Sequence, residues 1–180
     1  AIFGTPGLQS AFQPDTQAGF PMRGMLGTQS TLYVVAYNAF RAMSGVTGIS
    51  FDSGVLGTIS GQVSMANNAT QVMVVDGISG YLYTPSTNSF KIITSPGFPN
   101  GANTVTFVSG YFVCEQPGSQ QFWVSNLFDG STWNALSFAS ASQYSDNIKA
   151  VDNLLGNLVL FSERHTEFWQ NVGTTPEPFA

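Results

Sequence analysis

The sequence is poor in charge: charged residues make up 8% of its 180 residues, where about a quarter is usual. Much of the surface must therefore consist of uncharged Ser, Thr, Asn, Gln and Gly. Such a surface offers little resistance to association, and we expect extensive contact with other chains. A low-charge surface of the extracellular kind is the alternative explanation.

Basic residues are especially scarce, and the formal net charge is −5. Nucleic-acid affinity that does not depend on sequence comes from clustered Lys and Arg. The five basic residues are instead scattered along the chain: Arg23, Arg41, Lys91, Lys149 and Arg164. This pattern argues against a surface that grips nucleic acid.

Cysteine and histidine each occur once, as Cys114 and His165. One cysteine excludes an internal disulfide, and the apolar run YFVC around Cys114 predicts a buried, unreactive thiol. One Cys and one His cannot supply a zinc site, the acidic residues are not spaced as in a calcium loop, and no G-x-S-x-G motif occurs. His165, Glu163 and Glu167 are predicted to lie around a solvated hairpin end. We predict no catalytic residue, no metal site and no cofactor.

Long apolar runs are also missing, since none approaches the roughly 18 residues of a membrane span. The first residues, AIFGTPGLQS, have neither the basic nor the apolar region of a signal peptide. Because the chain starts at Ala1 without Met, we expect it to be processed or trimmed.

What the sequence does contain is a four-stranded unit over residues 103–140. Ser109-Gly110, Pro117-Gly118-Ser119 and Asp129-Gly130 are turn sequences that separate apolar alternating runs. The predicted strands are Val105–Val108, Tyr111–Glu115, Gln121–Asn126 and Trp133–Phe138. A four-stranded meander of about 40 residues has the size of one β-propeller blade.

Similar units precede and follow this one, so the sequence predicts an all-β propeller. After an irregular lead-in over residues 1–22, the blades are expected at about 23–57, 58–100, 101–142 and an incomplete 143–180. Second strands begin at Tyr33, Val72, Tyr111 and Leu158, at intervals of 39, 39 and 47 residues. The units could close as a four-bladed ring or form an open arc of a larger propeller, and we favour the arc because the last unit is unfinished.

One motif suggests carbohydrate chemistry. Residues Asp129 to Trp133, between the third and fourth strands, resemble the Asp-box S-x-D-x-G-x-[ST]-W of sialidase-type propellers, one residue short. In those enzymes the box is a structural turn, and three arginines in the whole chain are too few for a sialidase site. Trp123 and Trp169 are predicted to pack between blades.

The chain resembles the packaged-DNA stabilisation proteins of short-tailed phages, also called tail accessory factors or tail hub proteins. The resemblance covers nearly all 180 residues as scattered matches in order. The matching segments are Pro6-Gly7, Arg23-Gly24, residues 60–66, the run from Gly110 to Trp123 with Asp129, and Glu167-Phe168.

The resemblance implies a β-propeller in a longer chain, of which these residues would be part, and a structural role without catalysis. Such proteins form a ring, hexameric in known cases, that joins the portal and its adaptor to a tail needle or plug and retains packaged DNA. The partners that the resemblance implies are therefore other phage tail proteins: the portal-adaptor, the needle or plug, and the tailspike. They belong to the virion tail and assemble in the host cytoplasm. Our candidates for partner contact are Phe98, Pro99 and Asn100, in the loop 95–103. A carbohydrate-binding or sialidase-like propeller and a surface adhesion propeller remain the alternatives.

Overall fold

The computed structural model describes residues 21–44 and 50–180 and arranges them as four antiparallel sheets. The first sheet contains β1 (Met22–Gly27), β2 (Thr31–Ala36), β3 (Ala39–Ser44) and β4 (Ser50–Val55). The second contains β5 (Ser64–Asn67), β6 (Val72–Val75), β7 (Gly80–Thr84) and β8 (Ser89–Ile92). The third contains β9 (Val105–Val108), β10 (Tyr111–Glu115), β11 (Gln121–Asn126) and β12 (Asp129–Ser140). The fourth contains β13 (Ile148–Leu154), β14 (Asn157–Ser162) and β15 (Thr166–Trp169).

Each sheet is a blade in which sequential strands are neighbours, so blades 1 to 4 follow the order of the chain. The first strands of successive blades, β1, β5, β9 and β13, contact one another in that order. Three apolar cores fill the spaces between blades 1 and 2, 2 and 3, and 3 and 4. The predicted all-β propeller fold is confirmed. Within the described residues, β13 makes no comparable contact with β1.

Alternation of side chains explains how one blade serves two cores, because successive residues of a strand point to opposite faces. In β6, Val72 and Val74 join the core with blade 1, while Met73 and Val75 join the core with blade 3. A strand buried on both faces must be apolar throughout, as the sequence VMVV is.

Arg23 fastens the connection between blades 1 and 2. Its guanidinium, almost completely buried, donates to the carbonyl oxygens of Tyr37, Thr58, Ser60 and Gly61 at 2.7–2.8 Å. It also donates to the hydroxyl of Thr58, which in turn donates to the carboxylate of Asp76 in blade 2 at 2.7 Å. A buried guanidinium with this many acceptors fixes the connector in place.

Glu115 holds the connection between blades 2 and 3 in a similar way. Its buried carboxylate accepts from the backbone N–H groups of Asn103 and Thr104 and from the Thr104 hydroxyl at 2.6–3.0 Å. The Thr104 hydroxyl also accepts from the backbone of Val151 in blade 4 at 3.1 Å. Burial raises the pKa of Glu115, and the hydrogen bonds from Thr104 and Asn103 oppose this shift.

Several predicted elements begin or end at other residues in the structure. In the first predicted blade, the sequence GISF at Gly48–Phe51 predicts the fourth strand. This segment lies partly outside the described residues, and β4 begins at Ser50. β12 begins at Asp129, four residues before the predicted start at Trp133. The sequence at Asp152–Leu155 could at most predict one helical turn, but in the structure this segment ends β13 and opens a tight turn. The described residues contain a single helical element, the short 3₁₀ turn Pro85–Thr87.

The last residues also fold back onto blade 4. Asn171 forms a β-bridge with Phe179, and the backbones of Gln170 and Ala180 exchange hydrogen bonds of 2.8 and 2.9 Å. Phe179 is buried in the core between blades 3 and 4, against Phe122. This tail therefore contributes to the core instead of forming a regular fourth strand.

Candidate interaction surface

Three hairpin turns meet at one end of blades 3 and 4 and expose apolar side chains to solvent. They are Ser109-Gly110 between β9 and β10, Leu127-Phe128 between β11 and β12, and Leu155-Gly156 between β13 and β14. We call the exposed side chains of Leu127, Phe128, Leu154 and Leu155 the turn-tip surface.

Two residues of the turn-tip surface are both exposed and in the left-handed backbone region. Phe128 has φ 53° with 61% of its area exposed, and Leu155 has φ 53° with 94% exposed. A residue with a Cβ pays about 1–2 kcal/mol for this conformation, which Gly and Asn tolerate better. The Leu155 side chain therefore benefits neither the backbone nor the core, whereas the Phe128 ring also meets Phe107 with ring centroids 6.1 Å apart. Binding to a partner would explain the exposed apolar area of both side chains.

Hydrogen bonds between the turns make the turn-tip surface a fixed platform. The backbone N–H of Phe128 donates to the carbonyl of Gly110 at 2.7 Å, and Asn68 of blade 2 donates to the carbonyl of Phe128 at 3.1 Å. The hydroxyl of Ser109 reaches the carbonyl of Gly156 at 3.4 Å. The three turns thus hold one another, and a partner would meet a preformed surface.

The Asp-box-like segment lies beside this surface and forms the irregular start of β12, where the pairing with β11 shifts register. The Asp129 carboxylate accepts from the backbone N–H and hydroxyl of Ser131 at 2.9 and 2.7 Å. Burial acts to raise the pKa of Asp129, but these hydrogen bonds outweigh it and leave the pKa below its ordinary value. Trp133 is 3% exposed and donates its indole N–H to the carbonyl of Gly130 at 2.9 Å.

The other two tryptophans also pack within the fold. Trp123 stacks on Phe138 at 4.9 Å and borders the core between blades 2 and 3. Trp169 meets Phe122 edge-to-face at 5.2 Å at the core between blades 3 and 4. Both tryptophans therefore occupy the inter-blade positions predicted for them.

Of the three residues predicted to contact a partner in the loop 95–103, two are buried and one is exposed. Phe98 is 4% exposed, packs edge-to-face on Trp133 at 5.1 Å and covers Gly80, where a Cβ would lie 2.2 Å from its ring. Pro99 is buried as well, whereas Asn100 is exposed. Contact between this loop and a partner stays a prediction, with Asn100 as its accessible residue.

The side chains considered for chemistry do not converge on a reactive site. Cys114 is fully buried, and burial raises the pKa of its thiol well above the ordinary value. His165 stacks on Tyr144 with ring centroids 3.7 Å apart and lies 3.2 Å from the Asp146 carboxylate. Glu163 pairs with Lys149 at 2.9 Å. Within residues 21–44 and 50–180, no group of His, Cys, Asp and Glu side chains could hold a metal ion.

Comparison with known families decides the affiliation of this propeller. Residues 7–180 match the family described as Bacteriophage P22 Gp10, beta-propeller. The chain belongs to this phage stabilisation family. The resemblance noted in the sequence is thereby confirmed, and membership makes the chain a structural protein associated with the phage virion. No curated protein gives a significant match.

Solved structures similar to this member of the family share its fold at low sequence identity. The computationally designed Ika4 protein is 9% identical with a TM-score of 0.64, and the match covers 92% of this chain and 99% of Ika4. The designed Ika8 protein is 11% identical with a TM-score of 0.60, covering 83% of this chain and 45% of Ika8. BamB from Moraxella catarrhalis is 12% identical with a TM-score of 0.60, covering 83% and 44%.

For a phage structural protein the turn-tip surface is the most informative site, and sequence reasoning missed it. A signal was present, because Leu155 precedes Gly156 where a two-residue hairpin turn normally carries Asn or Asp. Leu127-Phe128 likewise fills a tight turn with two large apolar residues. Among the described residues, no helix has the length and apolar character required to cross a bilayer.

Proposed function

We propose that this protein is a non-enzymatic hub or accessory factor of a phage tail, which joins the portal-adaptor to the tail needle or plug and retains packaged DNA. The turn-tip surface carries this proposal, in a chain that belongs to a phage stabilisation family. It is a preformed apolar platform, as expected for a protein that acts by contacting other proteins.

Few basic side chains are available to hold DNA through its phosphates. The guanidinium of Arg23 is buried among carbonyl oxygens, and Lys149 is paired with Glu163. With a net charge of −5, the protein would retain DNA by closing the exit, since an acidic surface repels the phosphate backbone.

The turn-tip surface would contact another tail protein. Leu155 and Phe128 project from adjacent blades, and the neighbouring turns contribute uncharged Ser109 and Asn68. A partly apolar surface suits a packed interface between subunits of a ring, for which a hexamer is the expectation. Assembly would take place in the host cytoplasm, and the finished ring would remain in the virion.

The experiment replaces the two strained residues with serine and measures retention of DNA. Phage particles assembled with Phe128→Ser/Leu155→Ser protein should release their DNA, which added nuclease then degrades. Particles with wild-type protein should keep their DNA protected from nuclease. Ile78→Ser is the matched control, because Ile78 is equally exposed but lies in the β6–β7 turn at the other end of the blades. Full DNA retention by particles that lack the protein altogether would overturn the proposal, and specific binding on a glycan array would favour the carbohydrate alternative.

A further inference from the structure

A cleft opens beside the turn-tip surface, between blade 3 and the loop over residues 174–176. We call it the β12 cleft, because β12 supplies three of its lining residues. Its volume of about 500 Å³ lies within the range of about 300–1,000 Å³ that is typical of ligand pockets. Leu127 lines the cleft and also belongs to the turn-tip surface, so the two features are continuous.

An irregularity in β12 builds the blade 3 side of the cleft. Residues 134–137 stand opposite the single residue Val124 of β11, because the pairing of the two strands shifts register there. Such bulges re-aim side chains, and this one places Asn134, Leu136 and Ser137 along the cleft. Leu136 is 67% exposed, so its side chain contributes apolar surface to the cleft instead of packing in a core.

The lining of the β12 cleft combines apolar surface with polar groups, and none of the described residues that form it is charged. Leu136 and two prolines of the loop supply apolar surface. Among the described residues, the Tyr111 hydroxyl, the Asn126 side-chain amide and the Ser137 hydroxyl have no hydrogen-bond partner. An occupant that covered these groups without bonding to them would bind weakly. The occupant must therefore be uncharged and carry its own hydrogen-bonding group.

The three polar groups also indicate which hydrogen-bonding group fits. An amide both donates and accepts, as hydroxyls do, so the best counterpart is a group with both capacities. A phenol hydroxyl donates and accepts, whereas an indole N–H only donates and a phenyl ring does neither. Tyrosine also carries the flat apolar ring that leucine and proline side chains pack against, and it is one of the commonest anchor residues of protein interfaces.

We propose that the β12 cleft binds a tyrosine side chain of the tail protein that docks on the turn-tip surface. The ring lies against Leu127, Leu136 and the prolines, and its hydroxyl exchanges hydrogen bonds with the polar groups of the lining. The identity of the partner rests on the proposed function. The preference for a phenol rests on the cleft alone.

The first test measures binding of p-cresol, which is the tyrosine side chain without its backbone, by NMR of the isotope-labelled protein. Amide shifts should be confined to residues 125–127 and 134–137, and toluene should bind about 10-fold more weakly because it leaves the polar groups unpaired. Toluene binding as tight as that of p-cresol would overturn the role of the hydroxyl. Tighter binding of 3-methylindole would make tryptophan the occupant, and shifts elsewhere or none at all would overturn the cleft as the site.

Two substitutions of exposed residues separate the apolar and polar contributions. Leu136→Ser should abolish p-cresol binding, whereas Ile78→Ser, the control at the other end of the blades, should leave it unchanged. Asn126→Ala should reduce the preference for p-cresol over toluene without changing toluene binding. Unchanged p-cresol binding in both cleft variants would overturn the proposal.

The second test titrates portal-adaptor complexes with the same variants. Leu136→Ser should raise Kd about 10-fold relative to the wild-type protein, because an anchor side chain loses part of its pocket. Wild-type binding that Leu136→Ser leaves unchanged would overturn the cleft as an anchor site while the turn-tip surface stands. A wild-type protein that does not bind would overturn the proposed function and the partner named here, and the p-cresol measurement would still decide what the cleft binds.

Discussion

Replacing Leu155 with asparagine should stabilise the protein and weaken the proposed binding to a tail partner. The turn Leu155-Gly156 has positive φ at both residues, 53° and 85°. This is the conformation of two-residue hairpin turns that favour Asn-Gly. Because Leu155 is almost fully exposed, its side chain contributes almost nothing to the core.

The size of the effect follows from these two facts. Asparagine should recover about 1 kcal/mol of backbone strain, which corresponds to about 2–4 °C in Tm for a chain of this length. At an interface, burial of a leucine side chain is worth about 2 kcal/mol, so its loss should raise Kd about 30-fold.

Thermal unfolding followed by circular dichroism measures the first effect, and titration with portal-adaptor complexes measures the second. Leu155→Ala is the control, since it removes the apolar surface but keeps a Cβ in the left-handed conformation. It should weaken binding similarly without raising Tm. A lower Tm for Leu155→Asn would refute the strain argument, and unchanged Kd in both variants would refute the role of the turn-tip surface.

Three further predictions concern stability. Arg23→Met should lower the free energy of unfolding, measured in urea, by about 3–5 kcal/mol, because several buried carbonyl oxygens lose their hydrogen-bond donor. Arg164→Met is the control, and since Arg164 is exposed it should change the free energy of unfolding by less than about 0.5 kcal/mol. Phe98→Ala should cost about 3–5 kcal/mol, with Asn100→Ala nearly neutral; equal effects would place Phe98 outside the core. Burial raises the pKa of Glu177 to about 7. The contribution of the protonated carboxyl to folding stability is therefore complete below pH 4.5 and is lost as the pH rises through 7. Glu177→Gln should therefore stabilise by about 1 kcal/mol at pH 8, after allowance for partial exposure, with no gain at pH 4; no difference between the two pH values would contradict that assignment.

Blade 3 was the part of the fold that sequence reasoning located best. The bounds of Val105–Val108, Tyr111–Glu115 and Gln121–Asn126 agree with the structure. There the local signals are strong, because glycine- and proline-containing turns separate short apolar runs. The fold class followed from repetition of that pattern.

Long-range contacts could not be predicted in the same way. Phe98 is buried because Gly80, eighteen positions earlier in the chain, leaves space for its ring, and no local pattern reveals this. The five hydrogen bonds of Arg23 likewise reach residues 14 to 38 positions away. The turn-tip surface depends on three turns from two blades that meet only in the folded chain.

The central claim, that the protein acts by docking onto other tail proteins, is tested most directly by the mass of purified portal-adaptor complexes before and after its addition. Mass photometry should show a gain equal to a whole number of subunits for the wild-type protein and for Ile78→Ser. The gain should be lost with Phe128→Ser/Leu155→Ser. A strictly monomeric wild-type protein that adds no mass to the complexes would contradict the claim.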